Sequence, residues 1–266
     1  MKKFLTLLLL LLAFTSHAQR MMFGSNNNYV APAVPPVAPV TTGLMLYLDA
    51  TRSASYSGSG NSWGDISGLS PAGNATLVGS PSFGSSSLAN GSGSFTFGSN
   101  VNALTTKTYT IDNEITYIAW VNPSQSFDGG VISRRTDPSF NSGHTSLYVA
   151  NGNLCYDWDN SKYGWRSNLM VPNNQWSMIV ISVNAGTATA YLCNASGISS
   201  ATNGTTHSSL ISKGATNFHI GYDHRGTDIE IEIPNKFNYD GNFSDEDAKK
   251  CFESLKKLVD LYKLKN

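Results

Sequence analysis

The sequence predicts an all-β protein, an antiparallel two-sheet sandwich or jelly roll, followed by one C-terminal α-helix. Three observations carry this. From residue 43 to about 239, short runs rich in β-branched and aromatic residues alternate with Gly, Ser, Asn and Asp clusters. At least nine such runs recur at spacings of about ten residues, with no helical period of useful length between them. Only the tail, residues 244–266, changes to apolar residues at three- and four-residue steps.

Composition fits an exported polar surface better than a charged one. The chain has 266 residues, with 18 Lys+Arg against 18 Asp+Glu, and only 14% are charged. An ordinary domain carries about a quarter. A nucleic-acid binder would need a basic face, which a balanced, low-charge chain does not offer. With 40% hydrophobic residues the chain has enough apolar mass for a sizeable core, which excludes a disordered chain.

The elements follow in order. Lys2 and Lys3 precede an apolar run over residues 4–14, and Ser16-His17-Ala18 then offers small residues where a signal peptidase reads. Residues 1–18 therefore read as a signal peptide, cleaved before Gln19, because the run is far short of the ~20 residues that span a bilayer. No later apolar stretch is long enough to span, so the mature chain is expected to be exported, secreted or at the cell surface or periplasm. Residues 19–42 hold Pro32, Pro35, Pro36 and Pro39 with almost no charge, and read as an extended spacer.

Residues 43–243 form the expected sandwich. Its clearest strands are LMLYLDA (44–50), SFTFG (94–98), ITYIAWV (115–121), GVISR (130–134) and TSLYVA (145–150). NLCYDW (153–158), WSMIVISVN (176–184), ATAYLC (188–193) and NFHIGYD (217–223) complete the set. In ITYIAWV both alternating faces are apolar, which marks a central strand covered on both sides. Ser244 is a natural N-cap, with Asp245, Glu246 and Asp247 in the first turn where the helix dipole favours negative charge. Ala248, Cys251, Phe252, Leu255, Leu258, Val259 and Tyr262 then form one apolar stripe, with the lysines largely off it. This helix is expected to pack on the sandwich.

Several short motifs in order resemble one family. LMLYLDA, SWGDISG and GNATLVGSPSF place Trp63, Asp65, Ser67, Gly68, Gly73, Asn74, Thr76 and Leu77 as in the opening of a laminin-G-like jelly roll. ITYIAWVNP with GGVISR, QWSMIVISVNAGTATAYLCNASG, NFHIGYD and FNYDGNFSDED are similar to its later strands. The chain thus resembles the laminin-G-like members of the concanavalin A-like lectin/glucanase superfamily over about residues 43–256. The closing segment departs from the pattern, with Asn242-Phe243 where a small residue and Leu are more usual. The superfamily implies a concanavalin A-like jelly roll, but it hosts lectins, adhesion modules, virion proteins and glycoside hydrolases, so function must come from residues.

Binding is the reading we favour from the residues, as a non-catalytic carbohydrate-binding or adhesion module. Asp157, Trp158, Asp159, Asn160, Tyr163, Trp165 and Arg166 cluster around an expected hairpin, and Arg134 ends a nearby strand. Aromatic faces stack on sugars while Asp, Asn and Arg hydrogen-bond hydroxyls, so the expected partner is a glycan or glycoprotein surface. The opposing reading of the same residues is that both tryptophans pack and the acids solvate a turn. No cofactor is required. Calcium is a further expectation, since many relatives bind it at loop rims, and Asp65, Asn74, Asp157 and Asp159 carry suitable oxygen ligands. The histidines show no transition-metal spacing.

Two alternatives remain open at this level. One is a structural surface or virion-type coat protein. The other is a glycoside hydrolase using Asp228, Glu230 and Glu232, which a strand would set on one face at successive i, i+2 positions. Glucanases of the superfamily carry three alternating acids in the order Glu, Asp, Glu, whereas this sequence has Asp, Glu, Glu; a solvated acidic edge explains the pattern equally. Finally, export puts the three cysteines in an oxidising compartment, and Cys155 with Cys193 is the expected disulfide pair, the alternative being buried free thiols.

Overall fold

The structure is a computed structural model. It describes residues 43–84, 93–98, 101–111, 114–123, 129–134, 144–159, 164–184, 187–194, 196–205, 214–221, 231–233 and 235–239. All lie in one compact unit, Ala38–Asn266; a separate unit, Met1–Val37, lies outside the described residues. The expected signal peptide, spacer and C-terminal helix lie outside them as well.

Seventeen strands follow one another without a helix among the described residues. They are β1 (Leu44–Asp49), β2 (Ser62–Trp63), β3 (Ala75–Val78), β4 (Ser82–Gly84), β5 (Ser94–Phe97), β6 (Asn102–Thr105) and β7 (Ile115–Val121). Next come β8 (Gly129–Arg134), β9 (Thr145–Ala150), β10 (Asn153–Trp158), β11 (Trp165–Met170), β12 (Ser177–Val183) and β13 (Ala188–Asn194). The last are β14 (Gly197–Asn203), β15 (Phe218–Ile220), β16 (Ile231–Ile233) and β17 (Asn235–Tyr239). Every strand legible in the sequence is present.

Three antiparallel sheets result. A six-stranded sheet has the order β1-β17-β7-β12-β13-β14, and an eight-stranded sheet the order β11-β10-β9-β8-β15-β6-β3-β2. A small third sheet, β16-β5-β4, adds aromatic mass. The non-sequential neighbours, such as β1 beside β17 and β8 beside β15, are what a jelly roll requires.

The core lies between the sheets, where alternation delivers it. β7 gives Ile115, Tyr117, Ala119 and Val121, β12 gives Ile179 and Ile181, and β10 gives Leu154, Tyr156 and Trp158, all fully or almost fully buried. Phe95 of β5 joins Tyr56, Trp63 and Phe83, with ring centroids 4.7, 4.8 and 5.3 Å away. As predicted, β7 is covered on both sides: its other face puts Ile118 and Trp120 into a second apolar cluster with Leu44, Tyr47, Met178, Val180, Tyr191 and Cys193.

The strands missed from sequence are short or polar. β14 is an edge strand, GISSATN, and its exposed Ser199 and Ser200 show why apolar runs do not reveal it. β11, another edge, is similarly polar at Arg166 and Asn168.

Candidate functional site

Strand register assembles a polar row that no sequence motif announces. On the eight-stranded sheet, Asp157 of β10 pairs with Ser146 of β9, Ser146 with Ser133 of β8, and Ser133 with His219 of β15. The row continues through Leu104 of β6 to Thr76 of β3 and Ser62 of β2. Their chain neighbours Trp158, Leu147, Ile132, Phe218, Ala103 and Ala75 belong to the core, so period-two alternation puts the row on the opposite, outer face. At about 4.8 Å per strand, Asp157 to His219 spans about 14 Å, the length of a short oligosaccharide.

The row is graded in exposure. Asp157, Ser146 and Ser133 are buried, His219 and Leu104 are half-buried, and Thr76 is exposed. Ser146 donates its hydroxyl proton to Asp157 Oδ2 at 3.4 Å, and His144 Nε2 lies 3.8 Å from the same oxygen. The Asp159 amide holds that corner by donating to the His144 carbonyl at 2.8 Å. Arg166 of edge strand β11 is exposed and sits opposite Cys155, diagonal to Asp157. Chemically the accessible part of the face offers the Thr76 hydroxyl, the half-buried His219 imidazole and the exposed Arg166 guanidinium, all suited to sugar hydroxyls.

The residues expected to bind from sequence divide between the two faces of this sheet. Asp157 and Arg166 share the outer face. Trp158 is fully buried in the core, and Trp165 packs from the core side edge-on to Tyr156, with centroids 5.9 Å apart. Trp158 therefore presents no ring face for stacking, because its position alternates inward. Arg134 is also fully buried, and its guanidinium donates to the Gly214 carbonyl. Burial pulls its basicity below the usual arginine range, with the nearby Tyr117 hydroxyl opposing that shift. Asp159, 3% exposed, adopts a left-handed turn conformation with φ of 55°. Asn160 and Tyr163 lie outside the described residues.

Asp65 and Asn74 meet, but as hydrogen-bond partners. Asn74 Oδ1 accepts from the Asp65 amide at 2.9 Å. Asp65 Oδ1 accepts from the Tyr47 and Ser67 amides at 3.0 and 2.9 Å, and Oδ2 accepts from the Ser67 hydroxyl and Gly73 amide at 3.0 and 2.8 Å. The Trp-x-Asp-x-Ser-Gly motif is thus a clasp that fastens β1 to the loop before β3. Gly73 completes it, since a Cβ there would lie 1.8 Å from the Tyr109 hydroxyl. Among the described residues, no group of three or more His, Cys, Asp or Glu is placed to hold a metal ion.

The disulfide expectation is corrected. Cys155 and Cys193 are both buried free thiols. Cys155 lies in the eight-stranded sheet and Cys193 in the six-stranded sheet, within separate apolar clusters. Burial raises the Cys155 thiol to about 11, partly offset by the charge of Arg166, and raises Cys193 to about 12.

Of the three acids considered for hydrolysis, Asp228 and Glu230 lie outside the described residues. Glu232 occupies β16, in register with Thr96 of β5, so it belongs to the small sheet rather than to the polar row.

Similar folds occur in proteins of several kinds. Domain 4 of an extracellular family-43 arabinanase from Geobacillus stearothermophilus, solved with arabinotriose, is 16% identical with a TM-score of 0.56, covering 76% of this chain and 94% of that one. A structure of botulinum neurotoxin type C, whose cell entry depends on two ganglioside molecules, is 15% identical with a TM-score of 0.58, covering 82% and 53%. Trypanosoma rangeli sialidase, solved with 2,3-difluorosialic acid, is 12% identical with a TM-score of 0.52, covering 79% and 33%. This chain thus spans about half of the toxin structure and a third of the sialidase. At such identities the likeness concerns the fold. No curated protein matches the sequence. Residues 97–230, half of the chain, match the family described as the concanavalin A-like lectin/glucanases superfamily in its laminin-G form, and the chain belongs to that superfamily.

Proposed function

We propose that the chain is an exported carbohydrate-binding module that takes a glycan along the outer face of the eight-stranded sheet. The observation that carries this reading is the cross-strand row, closed at Asp157 and open at Thr76. A glycan on the open end of the row meets Thr76, Leu104 and His219, while Ser133, Ser146 and Asp157 form the buried end beyond His219. The similar folds solved with arabinotriose and linked to gangliosides support the ligand class, and they include an extracellular protein. The Lys2-Lys3 and apolar leader supports export. Sugar hydroxyls are uncharged and well hydrated, so a half-open row of hydrogen-bonding groups gives weak binding that gains from multivalency.

The test is a glycan array on the full chain, including arabino-oligosaccharides and gangliosides, in calcium and in chelator. Hits should weaken at least about tenfold in His219→Ala and Thr76→Arg, as loss of about 1.4 kcal/mol implies, and survive chelation. Unaltered binding in both variants, at unchanged folding, would remove this face as the site. An array without hits would favour a structural surface role. Sequencing the secreted protein's N-terminus should find Gln19.

A further inference from the structure

We propose that the C-terminal segment 244–266 docks as an amphipathic helix across the outer face of the six-stranded sheet. This inference is independent of the glycan reading. The face is built in register: Trp120 pairs with Met178 and Met178 with Cys193, while Ile118 pairs with Val180 and Val180 with Tyr191. These six side chains alternate with core residues and so point away from the sandwich interior. Yet Ile118, Met178, Val180 and Cys193 are 0% exposed, and Trp120 and Tyr191 only 7% and 3%. Leu44 and Tyr47 of β1 extend the same cluster.

The outer face of a two-layer sandwich is normally wet and alternates to polar residues. A face this apolar needs a third layer. Among the described residues, Ile66 and Trp176 are the partly buried hydrophobics that pack against it, from its periphery. The remaining cover must be apolar on one side, charged on the other and long enough to cross several strands.

Residues 244–266 meet each requirement. Their stripe of Cys251, Phe252, Leu255, Leu258, Val259 and Tyr262 is apolar, and the rest of the segment carries eleven charged residues. Nineteen helical residues, 244–262, extend about 28 Å. From β1 to β13 the sheet is four strand spacings, about 19 Å. The chain also leaves from the right place, since β17 ends at Tyr239 within this sheet, between β1 and β7. Docking would set Cys251 on the stripe that faces the Cys193 surface.

Hydrogen exchange on the intact chain tests the docking without a variant. Amides of residues 248–262 should exchange at least about tenfold more slowly than in an unstructured peptide. Thiol labelling, read at the Cys193 peptide, tests the surface. Cys193 should be inert in the intact chain and in Lys257→Glu, on the solvent side. In Leu255→Lys/Leu258→Lys, labelling should rise at least about tenfold while the β-sheet circular dichroism persists. If the double variant fails to fold, Leu258→Ala gives the same reading with a smaller rise. Exchange at peptide rates, or unchanged Cys193 labelling in a folded stripe variant, overturns the proposal. So does a concentration-dependent dimer whose dissociation exposes Cys193, which would make a second copy the cover.

Discussion

Replacing Asp65 by Ala should unfasten the clasp between β1 and the loop that precedes β3. Four donors lose their acceptor, but they are not equal. The Ser67 amide and hydroxyl sit in the same turn and can turn to water. The Tyr47 and Gly73 amides belong to separate segments that the carboxylate bridges, beside the Ile66 amide on the Tyr47 carbonyl and the Asp65 amide on Asn74, and each charge-assisted bond is worth about 1.5–3 kcal/mol. Water reaches this half-buried side chain and recovers part of the loss. The net cost is therefore about 3 kcal/mol, or about 6–12 °C in melting temperature for a unit of this size. Asp65→Asn should cost a similar amount, because its amide would turn N–H donors toward an amide or a hydroxyl that also donates. Differential scanning calorimetry in calcium and in chelator is the assay. The reasoning fails if the melting temperature of Asp65→Ala is unchanged. It also fails if calcium stabilises the native chain and loses that effect in the variant, which would make Asp65 a metal ligand instead.

Three further outcomes follow from burial. Trp158→Ala should cost about 3–5 kcal/mol as a core cavity, lowering the denaturation midpoint, while any folded fraction keeps its glycan affinity; a selective loss of binding would return Trp158 to the site. Asp49 is buried, and desolvation raises its carboxyl despite hydrogen bonds from Thr51 and Tyr47. Its protonated form is favoured in the folded state, so its contribution is fully present below the unfolded pKa and is lost as pH rises through the folded value. Thermal melts from about pH 3 to 7 should show Asp49→Asn gaining relative to the native chain as pH rises, and parallel curves would refute this. Cys155 and Cys193, raised to about 11 and 12, should stay unmodified at neutral pH and label only on unfolding. A Cys155–Cys193 peptide in a non-reducing digest would refute the structural assignment.

Much of the fold was legible because apolar alternation is a local signal. ITYIAWV declares both its strand and its double burial within seven residues, and the structure places it centrally, between β17 and β12. Polar edges such as GISSATN carry no such signal and emerge only through pairing with β13. The site was much less legible. The cluster from Asp157 to Arg166 drew attention by composition, yet alternation sends Trp158 inward and Asp157 outward from adjacent positions.

By itself, then, the sequence determined the all-β class, the family resemblance and the apolar stripe of the tail, since each is written in neighbouring residues. Only the tertiary structure decided which polar groups meet. Ser133, Ser146, Asp157 and His219 are scattered over 87 positions, and nothing local links them. Register across four strands brings them into line, and register is a property of the whole sheet. The same holds for the cysteines: two strands alike in sequence were assigned to opposite layers, and that placement settled their chemistry.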